Sequence, residues 1–186
     1  MEYTIINEQV VFNDHYKILK AEVRYETFKG ETITAERLAF HRGDSVAILL
    51  VEKESNSVLL TKQFRYPTTQ HEKGWLLEIP AGSMEKEECP LACVKRETLE
   101  EMGYEIEQPD QLFNFYTSPG GSTERVFLFY AKVSKHQKTE KGGGVEDENE
   151  DIKTVKIPIS EIQEYLQNKI MDAKTIIALQ WLLLNQ

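Results

Sequence analysis

The sequence predicts an α/β fold, a mixed β-sheet with helices on both faces, preceded by an antiparallel β extension. Three observations carry that expectation. Residues 45–51 (SVAILLV) and 58–64 (VLLTKQF) are apolar runs of strand length with a polar turn between them, the pattern of two core strands. Residues 90–102 are amphipathic and rich in glutamate, with Pro90 at the start and Gly103 just past the end, the asymmetry of a helix. Residues 172–184 form an apolar-faced segment long enough for a further helix on the same sheet. The chain has 186 residues, 40% of them hydrophobic, which suffices for one substantial core.

Taken in order, residues 4–6, 16–23 and 32–34 alternate apolar and polar, with Lys29-Gly30 as a turn, and read as antiparallel strands. So thin a sheet buries little by itself and must pack on the main domain or on a second copy of the chain. Residues 1–42 are therefore expected as a β extension and residues 43–186 as the main domain. Residues 66–74 read as a loop, and 75–79 as a short strand entering Pro80-Ala81-Gly82. Residues 112–116 and 126–133 are two more strands, on either side of the turn 117–123. Residues 134–151 are polar, carry Gly142-Gly143-Gly144 and the acidic run from Glu146 to Asp151, and have the composition of a mobile loop. A strand at 153–157 and a helix opened by Ser160 as N-cap lead to the closing helix. No internal repeat is visible.

The chemistry concentrates on the central helix. Glu97, Glu100 and Glu101 are spaced i, i+3, i+4 and project from one face. Like charges so placed repel, and a hard divalent cation removes the cost. Carboxylate oxygens on a rigid element, with room for waters and phosphate oxygens, suit Mg²⁺, with Mn²⁺ as the alternative. An ordinary solvated acidic helix is the other reading of E-x-x-E-E. Leu91, Val94, Thr98 and Met102 fall on the opposite side and are expected to face a core.

Composition limits the partners. Lys plus Arg number 22 against 31 Asp plus Glu, a net charge of −9, which argues against general attraction to nucleic acid or anionic lipid. No stretch reaches the ~18 apolar residues of a membrane span, and the N-terminus lacks the basic flank of a targeting segment, so a soluble cytoplasmic protein is expected. Cys89 and Cys93 are expected as reduced thiols, Cys93 as a small buried residue. His15, His41, His71 and His136 show no metal-ligand spacing.

The full spacing of the central stretch is Gly82, five residues, Glu88, seven residues, Arg96-Glu97, two residues, Glu100-Glu101, one residue, Gly103. It resembles the Nudix box in register, with Thr98 where an aliphatic residue is usual. The resemblance implies a Nudix-type α/β/α sandwich, in agreement with the pattern of elements. It also implies that Ala81 through its carbonyl, Glu97 and Glu101 hold metal, that Arg96 orients a glutamate, and that Glu100 is a ligand or a support behind one. Ser118-Pro119-Gly120-Gly121 resembles the turn of the GDP-mannose and ADP-ribose pyrophosphatase branch. In that branch the glycine-rich acidic loop brings a further carboxylate to the metals. Glu150 then resembles the extra ligand and Glu148 the general base, with the two roles open to exchange. Arg65, Arg37 and Arg42 resemble substrate-binding positions, Glu124 one that faces substrate, and Tyr16 one that stacks on the nucleobase within a homodimer. The expected activity is Mg²⁺-dependent hydrolysis of a nucleoside diphosphate sugar. The alternatives are a nucleoside triphosphate pyrophosphatase, which the SPGG turn counts against, and a non-catalytic Nudix-type binding domain, which the retained box glutamates count against.

Overall fold

A computed structural model describes the whole chain except Glu72, Glu146, Glu148 and Gln186. The apolar run becomes strand β4 (Ser45–Glu52), buried at every position. Period-two alternation sends Ala47, Leu49 and Val51 to one face of the sheet and Val46, Ile48 and Leu50 to the other. Beside β4 lie β5 (Ser57–Phe64) and, parallel to it, β9 (Arg125–Val133). With β8 (Asp110–Tyr116) and β10 (Lys153–Pro158) at the edges, the order is β10-β5-β4-β9-β8. A strand flanked on both edges and covered on both faces has no polar side to offer, which is why the sequence there does not alternate.

β4 and β5 pair only from Leu50↔Leu59 to Glu52↔Ser57 and then diverge. The far end of β5 pairs with β6 (Trp75–Glu78), and the start of β4 with β7 (Ala81–Ser83). The segment between β6 and β7 thus runs through the fork, where the Pro80 carbonyl accepts from Ile48 N–H at 2.9 Å. One face of the sheet is covered by α2 (Ile162–Asn168) and α3 (Ala173–Leu184), which bury Ile162, Ala178, Leu179 and Leu182. The other is covered by α1 (Pro90–Glu97) and the turn after it, which bury Cys93, Val94 and Met102. Each such aliphatic side chain contributes about 1.5–3 kcal/mol by leaving water.

Two compact units emerge: Met1–Asp44 with Tyr116–Arg125, and Ser45–Phe115 with Val126–Gln186. The first is an antiparallel sheet of β1 (Tyr3–Asn13), β2 (Lys17–Glu26) and β3 (Thr32–His41), with the segment 116–125 joined to it through Phe40 and Thr123. Gly30 makes the β2–β3 turn at φ 77°. Much of its apolar surface is open: Tyr3, Val10, Phe12 and Leu38 are half exposed or more. The α/β/α architecture and the antiparallel N-terminal sheet match the fold class read from the sequence.

Five local expectations are corrected. The central helix is not α-helical to Met102: the Thr98 hydroxyl donates to the Val94 carbonyl at 2.6 Å and a π-helical turn, Thr98–Met102, follows. Leu91 is exposed, and Cys93, 0% exposed, takes the core position instead. Ser160 does not cap α2; it lies in a 3₁₀ turn, Ile159–Glu161, that precedes the helix. Past residue 79, where the sequence predicts a connection, the short strand β7 forms. The fifth point is the glycine segment, described next. Among the described residues no helix is long and apolar enough to cross a membrane.

Candidate active site

The site grows from the end of α1. Gly103 terminates the π-helical turn at φ 75°, and the turn draws Glu101 inward, so that Glu101 is 1% exposed while Glu100 keeps a third of its side-chain surface. The Glu101 carboxylate accepts from Ala81 N–H at 3.1 Å. Glu97 packs against Gly82, where a Cβ would overlap its carboxylate, so a larger residue there would have to displace the Glu97 side chain.

Arg96 ties the surrounding acids together. Its Nε and one terminal nitrogen grip Glu88 at 3.1 and 3.0 Å, and its other terminal nitrogen donates to Glu97 and Glu100, both at 2.9 Å. The guanidinium holds the Glu88 carboxyl down at about 2. Glu97 goes the other way, pushed up to about 7 by burial and by the nearby charges of Glu100 and Glu150, against the pull of Arg96. Glu101 is pushed well above the carboxylate range by burial, then by Glu97 and Glu150.

Gly142-Gly143-Gly144, which by composition read as part of a mobile loop, are docked on the end of the central helix. All three have positive φ, and the Gly143 and Gly144 N–H groups donate to the Glu101 and Glu100 carbonyls at 2.9 and 3.1 Å. They cap the end of the Glu-rich helix, with Gly142 pressed on the Met102–Gly103 backbone and Gly144 on Glu150. This docking brings Glu150 to Glu97 and Glu101, its carboxylate accepting from Val145 N–H at 3.2 Å. Glu148, the expected base, lies outside the described residues, as does Glu146.

The remaining expected residues fall into two groups. Arg65, at the end of β5, is close enough to Glu101 and Glu150 for their charges to act on it. In the other unit, Arg42 sits over the Tyr16 ring at 5.3 Å and pairs with Glu124 at 3.6 Å, while Tyr16 meets Phe40 edge-on. Arg37 is not part of that group; it donates to the Tyr25 hydroxyl at 3.1 Å. Glu78, which no sequence motif marks, is buried at 1% exposure and bonded to Arg65 and Lys174. The available signal was a charged residue closing the otherwise apolar strand WLLE.

Among the described residues no three His, Cys, Asp or Glu side chains converge into a finished metal cage. The donors nevertheless fit a hard divalent cation. They are oxygens only, two of the carboxylates are buried beside each other, and Mg²⁺ ordinarily takes one or two carboxylates together with waters and substrate phosphates.

An oxygen-lined, glutamate-rich helix end beneath a mixed sheet of this topology defines a class. Residues 41–179 match the NUDIX domain family, and the chain belongs to that family and is a Nudix hydrolase. GDP-mannose pyrophosphatase of Citrobacter koseri is 37% identical over 184 residues, covering 96% of this chain and 94% of that one. GDP-mannose pyrophosphatase of Shigella flexneri is 35% identical, covering 97% and 95%. Among solved structures, an ADP compounds hydrolase superposes with a TM-score of 0.73 over 100% of this chain and 96% of that chain; at 18% identity it speaks for the fold alone.

Proposed function

We propose that the protein hydrolyses the diphosphate bridge of a nucleoside diphosphate sugar, GDP-mannose or ADP-ribose, to a nucleoside monophosphate and a sugar phosphate, with Mg²⁺ as cofactor and Mn²⁺ as an alternative. The observation that carries this reading is the reach of the similarity to the GDP-mannose pyrophosphatases, which includes the N-terminal sheet and the glycine segment as well as the box. Glu97, Glu101, Glu150 and the Ala81 carbonyl would hold the cation. When bound, it neutralises the diphosphate and lowers the pKa of a water. Arg96 keeps Glu97 and Glu100 in place. Arg65 faces the diphosphate with a planar fork of donors suited to phosphate oxygens. Water adds to one phosphorus, its proton passes to Glu148 or Glu150, and the bridging P–O bond breaks with its electron pair on the departing phosphate.

Residues 1–42 serve, in this reading, as the dimer contact and the base pocket, and residues 43–186 as the hydrolase proper. The half-exposed apolar side chains of β1 and β3 support a homodimer, and the Tyr16–Arg42–Glu124 cluster supports recognition of base or sugar, with Arg37 as an accessory contact. Cys89 and Cys93 are free thiols, in keeping with the cytoplasm, and the charge of −9 disfavours nucleic acid as a partner. Incubation with GDP-mannose, ADP-ribose and nucleoside triphosphates across a Mg²⁺ titration tests the proposal. Release of monophosphate from a sugar nucleotide is expected; pyrophosphate from triphosphates with sugar nucleotides intact would overturn it. Sizing in solution tests the dimer, and a monomer that retains sugar-nucleotide hydrolysis would refute it.

A further inference from the structure

At the end of β5, Gln63 and, just past the strand, Arg65 each carry donors that have no partner among the described residues. Gln63 is 6% exposed, and its Nε2 is the one buried side-chain nitrogen or oxygen without a hydrogen-bond partner among the described residues. Leaving such a donor unsatisfied costs about 1–3 kcal/mol. Arg65 donates only through Nε, to Glu78 Oε1 at 2.7 Å; among the described residues its two terminal nitrogens make no hydrogen bond. An arginine in an ordinary ion pair would turn its terminal fork to the carboxylate. Here the carboxylate takes the side nitrogen, and the fork is left over.

Glu78 is built to stay where it is. Its other oxygen is taken by Lys174, and Lys174 is held in turn by Asp172 at 3.0 Å, the N-cap of α3. Burial by itself would lower the Lys174 pKa, but Glu78 and Asp172 keep it raised, so the ammonium stays charged. The backbone is fixed as well: the Glu78 carbonyl accepts from the Thr61 hydroxyl at 3.2 Å, and Ile79 N–H donates to the Thr175 hydroxyl at 2.8 Å. Two residues further on, Ala81 N–H meets the Glu101 carboxylate. The carboxylate that sets Arg65 and the backbone that meets the acidic cluster therefore belong to one short rigid segment.

We propose that Glu78 is a positioning residue: clamped by Lys174, it holds Arg65 through Nε so that the terminal guanidinium nitrogens face the diphosphate. The inference rests on the diphosphate-cleaving reading above. It makes α3, whose first turn carries Asp172, Lys174 and Thr175, part of the apparatus that places a substrate-facing arginine.

The test is a double-variant cycle on the full-length protein with the best sugar nucleotide of the panel. Glu78→Gln keeps the side chain's shape and removes the charge, so KM should rise about tenfold or more with kcat changed less than about threefold. Arg65→Ala should do the same, and the double variant should lose no more than Arg65→Ala alone, because Glu78 acts through Arg65. A purely structural Glu78 would give independent, additive losses. If Glu78→Gln does not fold, Glu78→Gln with Lys174→Met removes the stranded ammonium and enters the same cycle. Wild-type turnover with KM unmoved by Glu78→Gln, or with additive losses, overturns this inference and leaves the reading of function standing. No sugar-nucleotide turnover by the wild type, but imidodiphosphate bound about tenfold more weakly by Glu78→Gln in calorimetry, overturns the reading of function and keeps the inference. Neither turnover nor imidodiphosphate binding overturns both.

Discussion

Two ion clusters in the larger unit are built as opposites. At Arg96 one guanidinium is shared by three carboxylates, Glu88, Glu97 and Glu100, with Glu101 and Glu150 close behind. At Glu78 one carboxylate is shared by two cations, Arg65 and Lys174. The first leaves an excess of negative charge, which a divalent cation would relieve. The second sets two cations against Glu78 and Asp172, and what it leaves over is the terminal guanidinium fork of Arg65, which a phosphate would take. A metal-assisted phosphoryl reaction uses both, carboxylates for the cation and free donors for the phosphate.

Removing an acid from the negative cluster should have the largest effect. Glu97→Gln or Glu101→Gln should lower turnover by orders of magnitude at limiting Mg²⁺ while circular dichroism stays unchanged, because each takes a charge from the cation and not from the fold. Glu148→Gln should lower kcat by about a hundredfold to ten-thousandfold with KM nearly constant, whereas Glu150→Gln should raise the Mg²⁺ concentration for half-maximal rate. Equal mild losses in both, and also in Asp147→Asn, would mean that the acidic run is a solvated linker.

The glycines that cap the acidic cluster are packed tightly, whereas those in the 116–125 turn have open space around them. Gly142→Ala would place a Cβ against the Glu101 and Met102 backbone at a positive φ, so it should lose about 1–3 kcal/mol in denaturant melts and some activity with it. Gly120→Ala meets open space and should stay within about 0.5 kcal/mol of the wild type. Equal effects would show that the cap contributes nothing.

The smallest expected effect is on pH dependence. Glu97 titrates at about 7 in the fold against a usual 4.5, so the folded state holds its proton more tightly than the unfolded chain does. Without metal, that difference has no effect below 4.5, erodes stability as pH rises from 4.5 to 7, and is fully felt above 7. Added Mg²⁺ should restore stability over the same window, increasingly with pH. A thermal midpoint indifferent to Mg²⁺ at pH 8 would contradict this.

How much of this was legible in sequence follows from what each feature depends on. The core strand β4 was legible because burial on both sides leaves a continuous apolar word, and the box because its acids are fixed to one short segment. The inward turn of Glu101 was not, because it depends on a π-helical turn that begins where Thr98 bonds back to Val94, and the 3.6-residue periodicity hides it. The glycine segment reads as mobile by composition, and only the fold shows its amides closing a helix end. Glu78 carries no motif at all. Its partners, Arg65 and Lys174, lie 13 and 96 residues away, so the cluster exists only once β5, β6 and α3 have met.

If the acids gathered at the end of α1 form a divalent-cation site, Mn²⁺ binding to the metal-free full chain, followed by paramagnetic resonance at pH 8 and pH 6, will show it. The wild type should bind at pH 8 and lose about tenfold in affinity per unit as pH falls below 7, since each bound cation must displace a proton. Glu97→Gln combined with Glu101→Gln should abolish that binding at both pH values. Undiminished Mn²⁺ affinity in the double variant would contradict the account.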